Sequence, residues 1–178
     1  MATILDLPDE IHLLIAKHLK TKIIFYSLIR VCHSFYSTYF PCLWSDLYVD
    51  PGGGKTIDAT NLRINAHLVD SITFSPSLTE EYYTIDFPRL YTLRLETFYY
   101  PEGLLARQVD FMRRHPFIRK LVCQHKDPVP REFWEVIVTE WTHLEVFHFS
   151  GIVEKDAQDA FWMVPGVAFG GEFLASLM

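Results

Sequence analysis

Cysteine is scarce in this sequence. Cys32, Cys42 and Cys123 are the three in 178 residues, and their wide spacing forms no CxxC pair. A disulfide scaffold or a paired-cysteine zinc site is not expected, and a reducing compartment suits the chain. Blocks of like charge are missing too. The net charge of −6 is spread along the chain with no basic stripe, which argues against nucleic acid or an anionic membrane as the main partner. Long apolar runs are also lacking. Residues 23–29 form the longest, well short of the roughly 20 needed to span a bilayer. No basic segment followed by an apolar one opens the sequence, so no signal peptide is expected and a cytoplasmic or nuclear location is. What is plentiful is core material. Apolar residues make up 49% and aromatics 15% of the chain, which suits a folded protein and not a disordered one. The length fits one compact domain or two small units.

One stretch invites a catalytic reading. Residues 50–56 read DPGGGKT, between a strand-like Leu47-Tyr48-Val49 and a helix-like segment from 57 to 68. A phosphate-binding loop needs G-x-x-x-x-G-K-[ST], because the first glycine turns the backbone around the phosphates and the lysine reaches the outer ones. That first position is Val49 here, and Pro51 removes a backbone donor from the cradle. A flexible turn is the expectation. A nucleotide-binding enzyme using Gly52–Thr56 stands as a rival, tested by Lys55→Ala.

The first fifty residues show three short helical patterns. Pro8 suits the start of a helix, Asp9 and Glu10 favour the positive end of its dipole, and Lys17, His18 and Lys20 the other end. Ile11, Leu14, Ile15 and Leu19 recur as one face. Ile24, Leu28 and Val31 form a second set, and Val31, Phe35 and Tyr39 a third. Pro41 is expected to end the run, with Leu43-Trp44 following. A unit this small has little interior, yet its apolar residues exceed what one small core needs. They pack either on the rest of the chain or on a partner.

This segment resembles the F-box. Leu7, Pro8, Glu10 and Ile11 match its Leu-Pro-x-Glu-Ile/Leu opening, and Ile15 and Leu19 continue the same helix. Val31 and Cys32 match its Val-Cys-x-x-Trp, with Phe35 in place of tryptophan. Leu43 and Trp44 match its closing Leu-Trp. Residues 20–24 lack the acidic residue often found before the second helix of that family. The resemblance implies binding to the Skp adaptor of cullin–RING ubiquitin ligases through Leu7, Pro8, Ile11, Ile15, Leu19, Phe35, Leu43 and Trp44. It also implies that the remainder of the chain holds a protein substrate. Cys32 beside His33 is read as a small buried hydrophobe, since adjacent helix residues point apart and form no nucleophile–base pair.

The remainder repeats a loose L-x-x-L-x-L frame. It begins at positions 69, 90, 118 and 144, which are 21, 28 and 26 residues apart. Its apolar members are Val69, Ile72, Phe74; Leu90, Leu93, Leu95; Ile118, Leu121, Cys123; and Leu144, Phe147, Phe149. Between frames, Leu104, Leu105, Val109 and Met112, then Phe133, Trp134, Ile137 and Trp141, recur at near-helical spacing, with Pro116 after the first set and Pro130 before the second. The pattern resembles the leucine-rich-repeat-like region of fungal F-box proteins, although Phe98, Lys126 and Ile152 occupy the usual asparagine place. Residues 154–164 read as a further helix. The strand frame due next is faint at Leu174 and Leu177, so the repeat region reads as truncated, with an apolar edge.

Other groupings are weaker. His143 and His148 flank a strand without a third metal ligand at a telling spacing. Arg113-Arg114-His115 and Arg119-Lys120 are read as solvated helix ends. Glu80-Glu81-Tyr82-Tyr83 and Tyr99-Tyr100 are read as rim loops. The expected fold is α+β with repeats: a three-helix F-box at 1–50, a hinge at 51–60, and a short, irregular leucine-rich-repeat-like α/β solenoid at 61–178. The expected function is a substrate-recruiting adaptor with no catalytic residue, metal or cofactor of its own. A chain that binds the adaptor but recruits nothing is the nearer rival.

Overall fold

The computed structural model describes residues 4–19, 21–50, 57–75, 78–97, 104–153, 157 and 164. Two compact units divide the chain, Met1–Asp46 and Leu47–Met178.

The first unit holds helices α1 (Asp9–His18), α2 (Lys22–Leu28) and α3 (His33–Trp44). α1 starts with Asp9 and Glu10 and ends with Lys17 and His18, each charge complementing its end of the dipole. α3 runs through Pro41 instead of stopping there. Pro41 gives no N–H to the carbonyl four residues back, but its own carbonyl accepts from Ser45 N at 3.0 Å, so the last turn closes. The core is Ala16, Phe25, Phe35 and Tyr39, with Leu19, Leu28, Ile29, Cys32, Cys42 and Leu43 packed around it. A buried polar pair crosses this core. His12 Nδ1 and the Tyr39 hydroxyl are hydrogen-bonded at 2.8 Å. The Phe35 ring stands edge-on to both, 5.5 Å from His12 and 5.4 Å from Tyr39.

The second unit contains most of one five-stranded sheet. Its strands are β1 (Asp46–Val49), β2 (Ser71–Phe74), β3 (Thr92–Thr97), β4 (Lys120–Val129) and β5 (Val146–Val153), in the order β1-β2-β3-β4-β5. β2 to β5 pair in parallel. The Val49 carbonyl accepts from Ser75 N at 3.1 Å, which sets the C-terminal ends of β1 and β2 side by side. Helices α4 (Ala59–Asn65), α5 (Glu80–Tyr83), α6 (Leu104–Arg114) and α7 (Arg131–Glu140) lie in the connections. Asp58 caps α4 by accepting from Asn61 N at 2.9 Å, and that bond holds its carboxyl below the usual range.

The recurring frame becomes the sheet register. Ile72, Leu93, Leu121 and Phe147 pair in one row across β2 to β5, and Phe74, Leu95, Cys123 and Phe149 in the next. β3, β4 and β5 begin with the same hydrogen-bond pattern. The carbonyls of Asp70, Tyr91 and Arg119 each accept two successive N–H groups from the following strand, at 2.7–3.1 Å. Helix side chains cover this inner face. Phe111 of α6 lies edge-on to Phe74 at 5.3 Å, and Trp134 of α7 to Phe149 at 4.9 Å. The buried indoles are satisfied: Trp134 Nε1 donates to the Val129 carbonyl and Trp141 Nε1 to that of Met112.

The expected class is therefore corrected. The α+β repeat reading, an F-box followed by a leucine-rich-repeat-like solenoid, gives way to an α/β fold. Among the described residues it comprises seven α-helices and one five-stranded sheet. Parallel neighbours require crossovers, and those crossovers hold the helices, so strand and helix alternate through the second unit instead of segregating. β1 also draws residues 46–49 into the sheet, out of the segment assigned to the F-box. The glycine stretch 51–56, Tyr99-Tyr100 and the calls on residues 154–178, except Ala157 and Val164, lie outside the described residues.

His115 ties α6 to the segment before β3. Its Nε2 accepts from Phe87 N at 2.9 Å while Nδ1 lies 2.7 Å from the Phe111 carbonyl. Both bonds form only in the neutral tautomer with hydrogen on Nδ1. Burial is the main cause lowering its pKa, and Arg114 adds to it, against the opposing effects of the Phe111 carbonyl and Asp86. The folded protein thus binds this proton less readily than the unfolded chain. Its stabilisation is complete above the ordinary value of 6.5 and is lost as pH falls below it toward the lowered folded value. Urea unfolding followed by tryptophan fluorescence should show stability declining from pH 7.5 to 5.5, with a shallower decline in His115→Leu.

Candidate docking surface

The first unit turns several of its branched aliphatic residues outward. His12, Ala16 and Leu19 follow the four-then-three spacing of one helix face and point into the core. Leu7, Ile11, Leu14 and His18 follow the same spacing on a different stripe, which is exposed. Leu7 is 38%, Ile11 40% and Leu14 51% accessible. The expected inward face of Ile11, Leu14, Ile15 and Leu19 is therefore split. Leu19 packs on the core, Ile15 is half-buried between the two stripes, and Ile11 and Leu14 face solvent.

α2 and α3 continue the pattern. Phe25 enters the core, whereas Ile23, Ile24 and Tyr26 are exposed, as is Val31. On α3, Phe35 and Tyr39 point inward. Tyr36, Phe40 and Trp44, four residues apart, line a second side. Tyr36 stacks on Phe40 with centroids 4.9 Å apart, and Phe40 lies 6.3 Å from Trp44.

The expected adaptor-contact residues thus fall into two groups. Leu7, Pro8 and Ile11 are exposed at the start of α1. Leu19, Phe35 and Leu43 belong to or pack on the core, with Ile15 and Trp44 half-buried. The first group can touch a partner directly; the second positions the helices that carry it. Leu14 and Tyr36, which the resemblance did not name, lie exposed on the same helices. Their helical spacing to Ile11 and Phe40 is the signal that finds them.

Most of the other groups singled out in the sequence are buried or paired. Burial pushes the thiols of Cys42 and Cys123 up, which disfavours the nucleophilic thiolate. Cys32 is half-buried against the core, beside an exposed His33. Tyr82 and Tyr83, expected on a rim, are buried in α5. The Tyr82 hydroxyl donates to the Ile57 carbonyl, and burial pushes Tyr83 up to about 12. Arg113 pairs with Asp110 and Glu140, Arg114 with Asp86, and Arg119 with Glu145. Among the described residues no three His, Cys, Asp or Glu side chains gather to hold a metal, and no helix is long and apolar enough to cross a membrane.

No protein-family model matches the chain, and no curated protein does.

The split between core and stripe predicts two mutational outcomes. Ile11→Glu/Leu14→Glu keeps good helix formers on an exposed face and should shift stability by less than about 1 kcal/mol. Phe35→Ala should cost about 3–5 kcal/mol, enough to unfold so small a unit. Circular dichroism during urea titration measures both.

Proposed function

We propose that the chain is an F-box-type adaptor. Its first unit docks on a Skp-type adaptor and, through it, on a cullin; its second unit holds a protein to be ubiquitinated. Catalysis belongs to the partners in this reading, and the working compartment is the cytoplasm, the nucleus or both. The supporting observation is the exposed stripe Leu7, Ile11 and Leu14 on a unit whose core is filled by other residues. Covering a Leu or Ile side chain fully contributes about 1.5–3 kcal/mol. A stripe of three offers a docking partner a substantial gain at no cost to the core. The ordered match of Leu7, Pro8, Glu10, Ile11, Cys32, Leu43 and Trp44 to the F-box pattern supplies the partner's identity.

Co-expression with a Skp-type adaptor tests this. The wild-type chain should co-purify with it, and both Leu7→Ala/Pro8→Ala and the folded Ile11→Glu/Leu14→Glu variant should lose it. A folded wild-type chain that fails to bind, or stripe variants that bind as well as wild type, would overturn the reading.

A further inference from the structure

The sheet face opposite the helices carries its own pattern. Because strand side chains alternate, the residues between the inner rows point to this outer face. β1 contributes the exposed Tyr48, and β2 contributes the small hydroxyl residues Ser71 and Thr73. β3 contributes Thr92, Arg94 and Glu96; β4 Lys120, Val122 and Gln124; β5 Val146, His148 and Ser150. Exposure rises along this face, from a buried Thr73 through half-buried Arg94 and Val122 to an exposed His148, all four in one register row.

The charges on this face are unevenly satisfied. Its acids are engaged. Asp50, just beyond β1, accepts from Ser75 Oγ at 3.0 Å, and Glu96 stands near Tyr48. Its cations are not. Among the described residues neither the Arg94 guanidinium nor the Lys120 ammonium has a hydrogen bond or ion pair, although both residues are half-buried. A partly desolvated cation without a counter-ion is costly, and a chain of net charge −6 has acids to spare. Lys120 pairs in register with Thr92, two residues before Arg94. With strands about 4.8 Å apart and a rise of about 3.3 Å per residue, the two Cα atoms stand about 8 Å apart. Val122 lies between Arg94 and His148 in register.

We propose that this outer face binds an extended acidic segment of a protein partner, with one carboxylate on Arg94, a second on Lys120, and His148 beside them. Side chains two residues apart on an extended peptide are about 7 Å apart, which matches the spacing of the two cations. A single phosphoryl group would place its charge at one point, whereas two carboxylates meet the two cations separately. The planar Arg94 guanidinium suits a carboxylate bidentately. The biological meaning rests on the recruiting role proposed for the second unit, whereas the binding itself involves no adaptor.

Fluorescence anisotropy with the full chain and a labelled Ser-Glu-Ser-Glu-Ser-Glu-Ser peptide tests the site. Three other probes are its glutamine counterpart, a peptide with one phosphoserine in place of the glutamates, and a single-stranded ten-nucleotide DNA. The glutamate peptide should bind at low salt and the glutamine peptide should not. Arg94→Gln and Lys120→Gln, which keep much of each aliphatic stem, should each weaken binding about tenfold. Arg63→Gln, on α4, should leave it unchanged. Melting curves confirm that each variant is folded, and Arg94→Lys replaces Arg94→Gln if the latter is not. No binding of the glutamate peptide to the folded chain overturns the proposal. So do equal binding of both peptides, indifference to the Arg94 and Lys120 substitutions, or preference for the phosphoserine peptide or DNA. Because no adaptor is present, failure here leaves the co-purification result standing, and failure of co-purification leaves this result standing.

Discussion

The consecutive parallel order of the sheet is the constraint on which the second unit depends. A parallel neighbour is reached only by a crossover, and crossovers of one hand between consecutive strands return over the same face. The helices accordingly gather on one side, where α5 packs on α6 and α6 on α7. That side takes the bulk: Phe111, Trp134 and Ile137 close over the two inner rows. The other side receives no helix from these connections. Its residues from β3 onward are polar apart from Val122 and Val146, and the side chains of two of its cations lack partners among the described residues. The proposed binding face thus follows from topology, and its chemistry from which residues alternate with the inner rows.

The first unit meets a different constraint, its small size. It fills its core with rings. Phe25, Phe35 and Tyr39 pack together, and His12 enters because the Tyr39 hydroxyl satisfies it. A buried histidine left without a partner would cost about 1–3 kcal/mol, so the pair fixes the angular phase of α1 against α3. With His12 and Ala16 inward, Ile11 and Leu14 turn outward. Surface apolar residues that a larger protein would bury become available for docking.

The sheet was largely legible in the sequence. The frame beginning at positions 69, 90, 118 and 144 marks residues that the register brings into shared rows, and the spacing of Val109 with Met112 and of Phe133 with Ile137 marks α6 and α7. Hydrophobic period suffices there because one face of each element is buried. Strand–helix alternation beyond residue 60 was read from the sequence, but the class was set as α+β because the strand at residues 46–49 was assigned to the F-box segment and not to the five-stranded sheet. The phase of α1 was misread because periodicity ranks Ile and Leu above His, while the partner that makes His12 a core residue lies 27 positions away. Pro41 was read as a terminator, yet a proline late in a helix forfeits one bond and the turn closes beyond it. Tyr82 and Tyr83 passed for rim residues because the buried acceptor for Tyr82, the Ile57 carbonyl, is equally remote in sequence. Of the docking surface, Leu7, Pro8 and Ile11 were visible through the family pattern. Leu14 and Tyr36 follow from their helical spacing to Ile11 and Phe40, whereas the nearness of Arg94 to Lys120 on adjacent strands required the fold.

In the proposed function, α1 presents a surface built for a partner and not for folding. Hydrogen–deuterium exchange of the chain, alone and with a Skp-type adaptor, tests it most directly. Slower exchange is expected over residues 7–18 in the complex, with no change over β2 to β5. Unchanged exchange across α1, or protection confined to the sheet, would contradict it.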